Sequence, residues 1–242
     1  MGKIELKHKE ITEFCLKNAD KSVINKYSKY FREGYDAYGI DSKIFEAQTK
    51  NWLTAWEMDM TIDDYLNLGD KLVSTGKFEE ANFAVHFISS KQQEFTIKTF
   101  SRIGKWLEYG IQNWANTDVL CMLVLCFFIF DKIVQPKDFI DWTTSVSKWK
   151  RRAVPVTFVE AIKKGYKPEP ILSVIEKLME DVEEDVQKGL GTLLREIWKK
   201  QPDLTEAFLL KWKNLCGRKI IQYATEKMDK EYRTKFKRVK YL

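Results

Sequence analysis

Two histidines, His8 and His86, are all this chain of 242 residues contains. That leaves almost no material for an imidazole metal site or a serine–histidine triad, and His86 is expected at the edge of the core. The four cysteines, Cys15, Cys121, Cys126 and Cys216, include no CxxC pair and lie in apolar helical contexts. Zinc binding and a disulfide frame are thereby disfavoured, and buried reduced thiols are expected. Only 5 prolines occur, and no stretch alternates apolar and polar residues for long, so strands are not expected. The apolar run at 119–130 is too short to cross a bilayer, and residues 1–17 lack the apolar centre of a signal peptide. A soluble, cytoplasmic chain is the expectation. The formal net charge of +6, from 41 basic and 35 acidic residues, is moderate. Any polyanionic partner must therefore be argued from where the charges fall.

What is present is apolar and aromatic mass, 44% and 14% of residues, enough for a sizeable core. Helical periodicity runs through almost every segment, so the fold class is all-α. The spacing predicts helices over 5–17, 21–31, 42–57, 61–74 and 78–89, with Asp41 as the N-cap of the third. Glycines and tyrosines interrupt the pattern at 32–40. From there a repeat emerges, faint in identity and clear in spacing. Helices with polar first residues begin near Glu79, Asn116, Lys150, Asp185 and Gly217, roughly 32 to 37 residues apart. That is the size of a helix pair that cannot bury its apolar face alone and must stack on its neighbours. A superhelix of HEAT-like helical repeats is expected, a single domain over 1–232 with a basic tail at 233–242. The second helices of such an array line one surface, usually concave.

The stretch Asn113-Trp114-Ala115-Asn116-Thr117-Asp118 before the apolar run is the focal point. If Asn113 is the N-cap, Trp114 and Asp118 share one helix face; if Asn116 is, they flank the first turn. Either way the positive end of the helix favours an ionised Asp118, and the apolar residues that follow anchor it in a core. Cations gather at other helix starts: Lys148, Lys150, Arg151 and Arg152, then Lys188, Arg195, Lys199 and Lys200, then Arg218 and Lys219. Positive charge at a helix N-terminus is unfavourable unless something compensates it, and a phosphate backbone would. Glu180, Asp181, Glu183, Glu184 and Asp185 interrupt this strip and would repel DNA if they faced it. The segment Arg233-Thr234-Lys235-Phe236-Lys237-Arg238-Val239-Lys240 is more uniformly basic, a property common in frayed tails.

Three segments in order carry a resemblance to a known family. Trp114-Ala115-Asn116-Thr117-Asp118, Trp149-Lys150-Arg151-Arg152-Ala153 and Gln187-Lys188-Gly189-Leu190-Gly191-Thr192-Leu193-Leu194-Arg195-Glu196 resemble signature segments of the AlkD family of HEAT-like-repeat alkylpurine DNA glycosylases. Tyr27-Ser28-Lys29-Tyr30-Phe31 and Gly39-Ile40 resemble its amino-terminal motif, and the likeness spans roughly Tyr27 to Met228. The resemblance implies hydrolysis of the N-glycosidic bond of cationic N3- or N7-alkylated purines in double-stranded DNA. It implies a monomer that wraps the duplex and holds the lesion without inserting its base in a tight pocket, needing neither metal nor other cofactor. By position, Asp118 is the implied catalytic aspartate, Trp114 an aromatic cradling the lesion, Arg152 the arginine beside the reacting centre, and Tyr27 a further aromatic. Lys29, Lys148, Lys150, Arg151, Lys188, Thr192, Arg195, Arg218 and Lys219 are the implied DNA contacts.

One departure stands out. Where the resemblance calls for a second lesion-cradling tryptophan, this chain has Thr192, which supplies no aromatic wall. Its absence would slow the reaction, narrow the substrates, or mark a relative that binds DNA without excising. Such a non-catalytic DNA-binding paralogue, reading duplex shape or branched DNA, is the alternative expectation. Trp142, Trp149, Trp198 and Trp212 are expected in core or repeat interfaces, and Arg195 with Glu196 could be structural ion partners.

Overall fold

A computed structural model describes residues 2–239. The described residues are helical throughout, without a strand, and they divide into two compact units, Met1–Phe128 and Ile129–Leu242. No helix among them is long and apolar enough to cross a membrane.

In the first unit the helices are α1 (Lys3–Lys17), α2 (Lys21–Ser28), α3 (Ser42–Trp56), α4 (Ile62–Ser74), α5 (Phe78–Ser89), α6 (Ile97–Tyr109) and α7 (Trp114–Leu120). Local chemistry sets their starts. Asp20 and Asp41 accept from the second backbone N–H of α2 and α3. Thr61 and Asp64 form a reciprocal capping box on α4, and Thr96 with Thr99 does the same on α6. Helix α2 ends at Ser28, short of the residue 31 expected from periodicity. Tyr30 and Phe31 instead donate to carbonyls three residues back, and Gly34 follows at φ +101°, where a helix cannot continue. Helix α7 runs on through a π turn, Cys121–Leu125, into α8, Cys126–Phe130. The 119–130 run is thus helical as periodicity predicts, with a bulge that periodicity cannot reveal.

The core of the first unit is aromatic. Trp52 stacks on Trp56, Phe83 on Phe87 and Phe87 on Tyr65, all buried between α3, α4 and α5. Rings of this size at helical spacing bury large apolar area with few rotamers to lose. Lys3 ties α1 to α4 through the Asp64 carboxylate at 2.7 Å and the Asp59 carbonyl at 2.8 Å.

The second unit opens with a 3-10 stretch, Pro136–Thr144, then α9 (Lys148–Lys163), α10 (Pro168–Ile175), α11 (Glu184–Trp198), α12 (Pro202–Trp212) and α13 (Arg218–Ala224). Helix α11 packs between α9 and α13. Its Gly-Leu-Gly segment makes the close approach possible: a Cβ on Gly191 would stand 2.4 Å from the Tyr223 Cβ and 2.8 Å from the Ile220 carbonyl oxygen. The repeat starts expected near 79, 116, 150, 185 and 217 correspond to α5, α7, α9, α11 and α13, each within two residues. The segment after α13 forms a 3-10 turn, Tyr232–Phe236, with Phe236 buried. Lys235 pairs with Glu206, and Arg238 donates to the Cys216 carbonyl. Arg233 to Val239 is therefore docked on its unit, while Lys240 and the last two residues of the expected tail lie outside the described residues. All four cysteines are buried, and none is in a disulfide.

Candidate active site

Of the two N-caps open from the sequence, the structure takes Asn113. Its backbone is extended, and its Oδ1 accepts from the Asn116 N–H at 2.9 Å. Asn116 in turn donates through Nδ2 to the Phe78 carbonyl at 3.1 Å, tying the start of α7 to the start of α5. Thr117 returns its hydroxyl to the Asn113 carbonyl at 2.8 Å. Asn116 and Thr117 are buried, so the first turn is fixed from below, and Trp114 and Asp118 stand on one helix face, four residues apart. Asp118 is half-buried.

Trp114 is 38% exposed and held at two points. Its Nε1 donates to the Tyr30 carbonyl at 3.1 Å, and its ring stacks on Phe31 at 5.7 Å and 19°. Phe31 stacks in turn on Tyr35 at 4.4 Å, and Phe78 meets both rings edge-on. These rings, with Tyr27, Tyr30, Ile40, Phe45 and Asn82, line a cavity of about 510 Å³ in the first unit. Trp114 and Tyr27, the two aromatics singled out by the resemblance, thus line one cavity although 87 residues separate them. Lys26, which lines the cavity, lies over the Tyr27 ring at 5.0 Å, and Lys29 lies over Tyr30 at 5.2 Å, both exposed.

The loop carrying Tyr35 is held by an acid pair at the start of α5. Glu79, 3% exposed, accepts from three successive backbone N–H groups: Tyr38 at 2.9 Å, Gly39 at 2.7 Å and Ile40 at 3.1 Å. Gly39 sits at φ +80°, and a Cβ there would lie 2.2 Å from the Asp20 carbonyl oxygen, so glycine is required on both counts. Glu80, 1% exposed, accepts the Tyr38 hydroxyl at 2.7 Å. Burial raises the Tyr35 and Tyr38 phenols well above their ordinary range; Glu79 adds to the first, and the hydrogen bond to Glu80 adds to the second.

In the second unit, Lys148, Arg151, Lys188 and Arg195, four of the cations expected at helix starts, find carboxylates within the chain. Arg151 forks onto Asp181, Nε to Oδ2 at 2.6 Å and Nη2 to Oδ1 at 3.3 Å, and its Nη1 donates to the Ser145 carbonyl at 2.7 Å. Lys148 lies 3.5 Å from Asp185 and 3.8 Å from Glu183, and Lys188 lies 3.5 Å from Asp185. Arg152 is buried and donates to the Asp185 carbonyl. The acidic cluster before α11 thus neutralises much of the basic cluster starting α9, which supplies the compensation that the sequence suggested a phosphate would give. Arg195 pairs with Glu226 at 2.6 Å. Lys150 lies over Trp142 at 5.0 Å, Thr192 is half-buried on α11, and Lys219 reaches Gln222 while Arg218 is exposed. Trp142 and Trp149 are buried, as expected of core residues; Trp198 and Trp212 are half-buried, with the Trp212 Nε1 on Glu176.

Sequence reasoning missed Phe31, Tyr35, Phe78, Asn82 and Glu79 as parts of this region. A signal existed for the aromatics: rings gathered in a non-helical stretch have no helix face to bury and must find another wall. None existed for Asn82, which sits in an apolar helix.

Residues 15–228 match the family model described as DNA alkylation repair enzyme. No curated protein sequence matches the chain. Among solved structures, the chain is similar to a predicted DNA alkylation repair enzyme from Enterococcus faecalis, with a TM-score of 0.76 at 14% identity over 88% of this chain and 98% of that one. It is also similar to AlkD2 from Streptococcus mutans, with a TM-score of 0.60 at 21% identity over 86% of this chain and 99% of that one. A further likeness is to smu.31 from Streptococcus mutans UA159, with a TM-score of 0.58 and 21% identity, over 86% and 98% of the two chains.

Proposed function

Because the chain belongs to the DNA alkylation repair enzyme family, we propose that it is a monofunctional DNA glycosylase, acting as a monomer on cationic N3- or N7-alkylated purines in duplex DNA. The observation that carries this reading is the capped start of α7: Asp118 is held on a helix turn anchored by Asn113, Asn116 and Thr117, on the face that bears Trp114.

An alkylated purine already carries positive charge, so it departs as a neutral base with the electron pair of the bond to C1′, and no general acid is required. The positive charge then resides on the deoxyribose. Asp118 stabilises that charge and orients the water that adds to C1′; the added water gives its proton to bulk solvent, leaving an abasic site. Trp114 and Tyr27 offer faces to the cationic base before it departs. Arg152, buried and donating to the Asp185 carbonyl, is given no phosphate contact in this reading. No step calls for a metal.

The alternative is a DNA-binding paralogue without catalysis. Thr192 in place of an aromatic favours it; the Asp118 and Trp114 pair favours the enzyme. The test is release of free 3-methyladenine or 7-methylguanine from alkylated duplex. Asp118→Asn is expected to lower the rate by about 10²-fold or more with duplex affinity retained. Wild-type protein that binds duplex with a steep salt dependence but releases no base sinks the glycosylase reading in favour of the binder.

A further inference from the structure

We infer that the groove between α4 and α6 is a second contact for the phosphate backbone of DNA, on a different helix layer of the first unit from Trp114 and Asp118. The inference goes beyond the proposed reaction: it draws on DNA as the partner of this family and on no step at Asp118.

Helix α4 packs on α5 and on α6, and α5 packs on α7, so α4 and α6 form one layer and α5 and α7 the other. In α6, Phe100, Ile103 and Leu107 turn into the core, which leaves Lys98, Ser101 and Lys105 outside, on a groove of about 420 Å³. Arg102 lies between the lysines and is held in place. Its Nε and Nη2 donate to the Asp70 Oδ2 at 3.1 and 2.6 Å, and Nη2 also reaches the Asn67 Oδ1 at 2.6 Å. Asp70 is the one acid among the lining residues, and it is saturated: the Trp106 Nε1 donates to its other oxygen at 2.7 Å and the Tyr109 hydroxyl at 3.3 Å. Burial, then Asp70, pushes the Tyr109 phenol up to about 12, so it keeps its proton and goes on donating.

Arg102 thus cancels the charge of Asp70, and Lys98 and Lys105 remain, neither paired with a carboxylate among the described residues. The start of α9 differs, because there carboxylates of the chain answer Lys148 and Arg151. Uncompensated cations on a concave surface focus the potential and draw anions. Seven residues separate Lys98 from Lys105, about 10 Å along the helix axis, with Arg102 between them. The charges therefore form a row, which suits successive phosphates better than a single small anion. Tyr109, 46% exposed, ends the row with a ring face on which a base can stack. A concavity between two helices also favours a strand over a bilayer, since a phosphate ridge enters it and a flat headgroup surface does not.

The test is a sedimentation titration of the full chain with an undamaged DNA hairpin whose stem is about 10 base pairs, one helical turn, too short and stiff to bend round both layers. Two hairpins per wild-type chain are expected at low salt, the second lost steeply as salt rises. Lys98→Ala and Lys105→Ala are each expected to lower the salt slope of the second event by about one. Lys98→Glu with Lys105→Glu is expected to abolish that event and leave the first; both side chains are exposed, so the variant should melt with the wild type. One hairpin per wild-type chain, or a second that binds the charge-reversed protein equally well, overturns the inference whatever base release shows. A single hairpin, together with capture on anionic phospholipid vesicles that charge reversal abolishes, assigns the groove to a membrane surface and overturns it too. Failure of base release in a protein that holds two hairpins overturns the glycosylase reading and leaves the groove standing.

Discussion

Replacing Glu79 tests whether one buried carboxylate holds the aromatic wall together. Its two oxygens accept from Tyr38, Gly39 and Ile40, and the Gly39 and Ile40 backbones are buried. A buried donor left unsatisfied costs about 1–3 kcal/mol, so Glu79→Ala, which strands two buried donors and one half-buried, is expected to cost about 3–5 kcal/mol. Glu79→Gln keeps one acceptor and turns an NH₂ toward a donor, and about half that cost is expected. For a chain of this length the alanine variant should melt about 10 °C lower. Hydrogen exchange locates the effect: the Tyr38, Gly39 and Ile40 amides, protected in the wild type, should exchange rapidly in the variant, and near-ultraviolet dichroism from the Phe31–Trp114 stack should fall. A Glu79→Ala protein that melts with the wild type and keeps those amides protected refutes the argument.

Two further outcomes follow from the ion pairs and from burial. Arg151 and Asp181 have side chains 16% and 5% exposed, so Arg151→Ala strands a buried carboxylate and is expected to cost about 3 kcal/mol in denaturant unfolding. The double replacement Arg151→Leu with Asp181→Leu should recover most of that loss. The His86 imidazole titrates below its ordinary value of 6.5 because burial disfavours its charged form, with Glu46 opposing. Below pH 6.5 the unfolded chain therefore takes up a proton that the folded chain resists, so stability is full above that pH and falls as pH drops beneath it. His86→Gln is expected to flatten the stability profile below pH 6.5, measured by denaturant melts at each pH.

The candidate site was legible where its signals were local. Asn113, Trp114 and Asp118 lie within six residues, and a capped, amphipathic helix start is written in adjacent side chains. The basic strip was legible as composition but not as chemistry. Its partners Asp181, Glu183 and Asp185 lie about one repeat away, and only the packing of α11 on α9 brings them to Lys148 and Arg151. The aromatic wall was illegible for the same reason: Phe31, Phe78 and Trp114 come from three distant segments.

The all-α class, the helix spans and the 32-to-37-residue recurrence of α5, α7, α9, α11 and α13 follow from the chain alone, because capping and apolar period are set by neighbours a turn apart. Tertiary structure alone decided which cations meet carboxylates, that Glu79 fastens three amides of a distant loop, and that Trp114 shares a cavity with Tyr27. Those outcomes depend on how helices approach one another, and no pattern of period or propensity encodes the distance between side chains 30 or more residues apart.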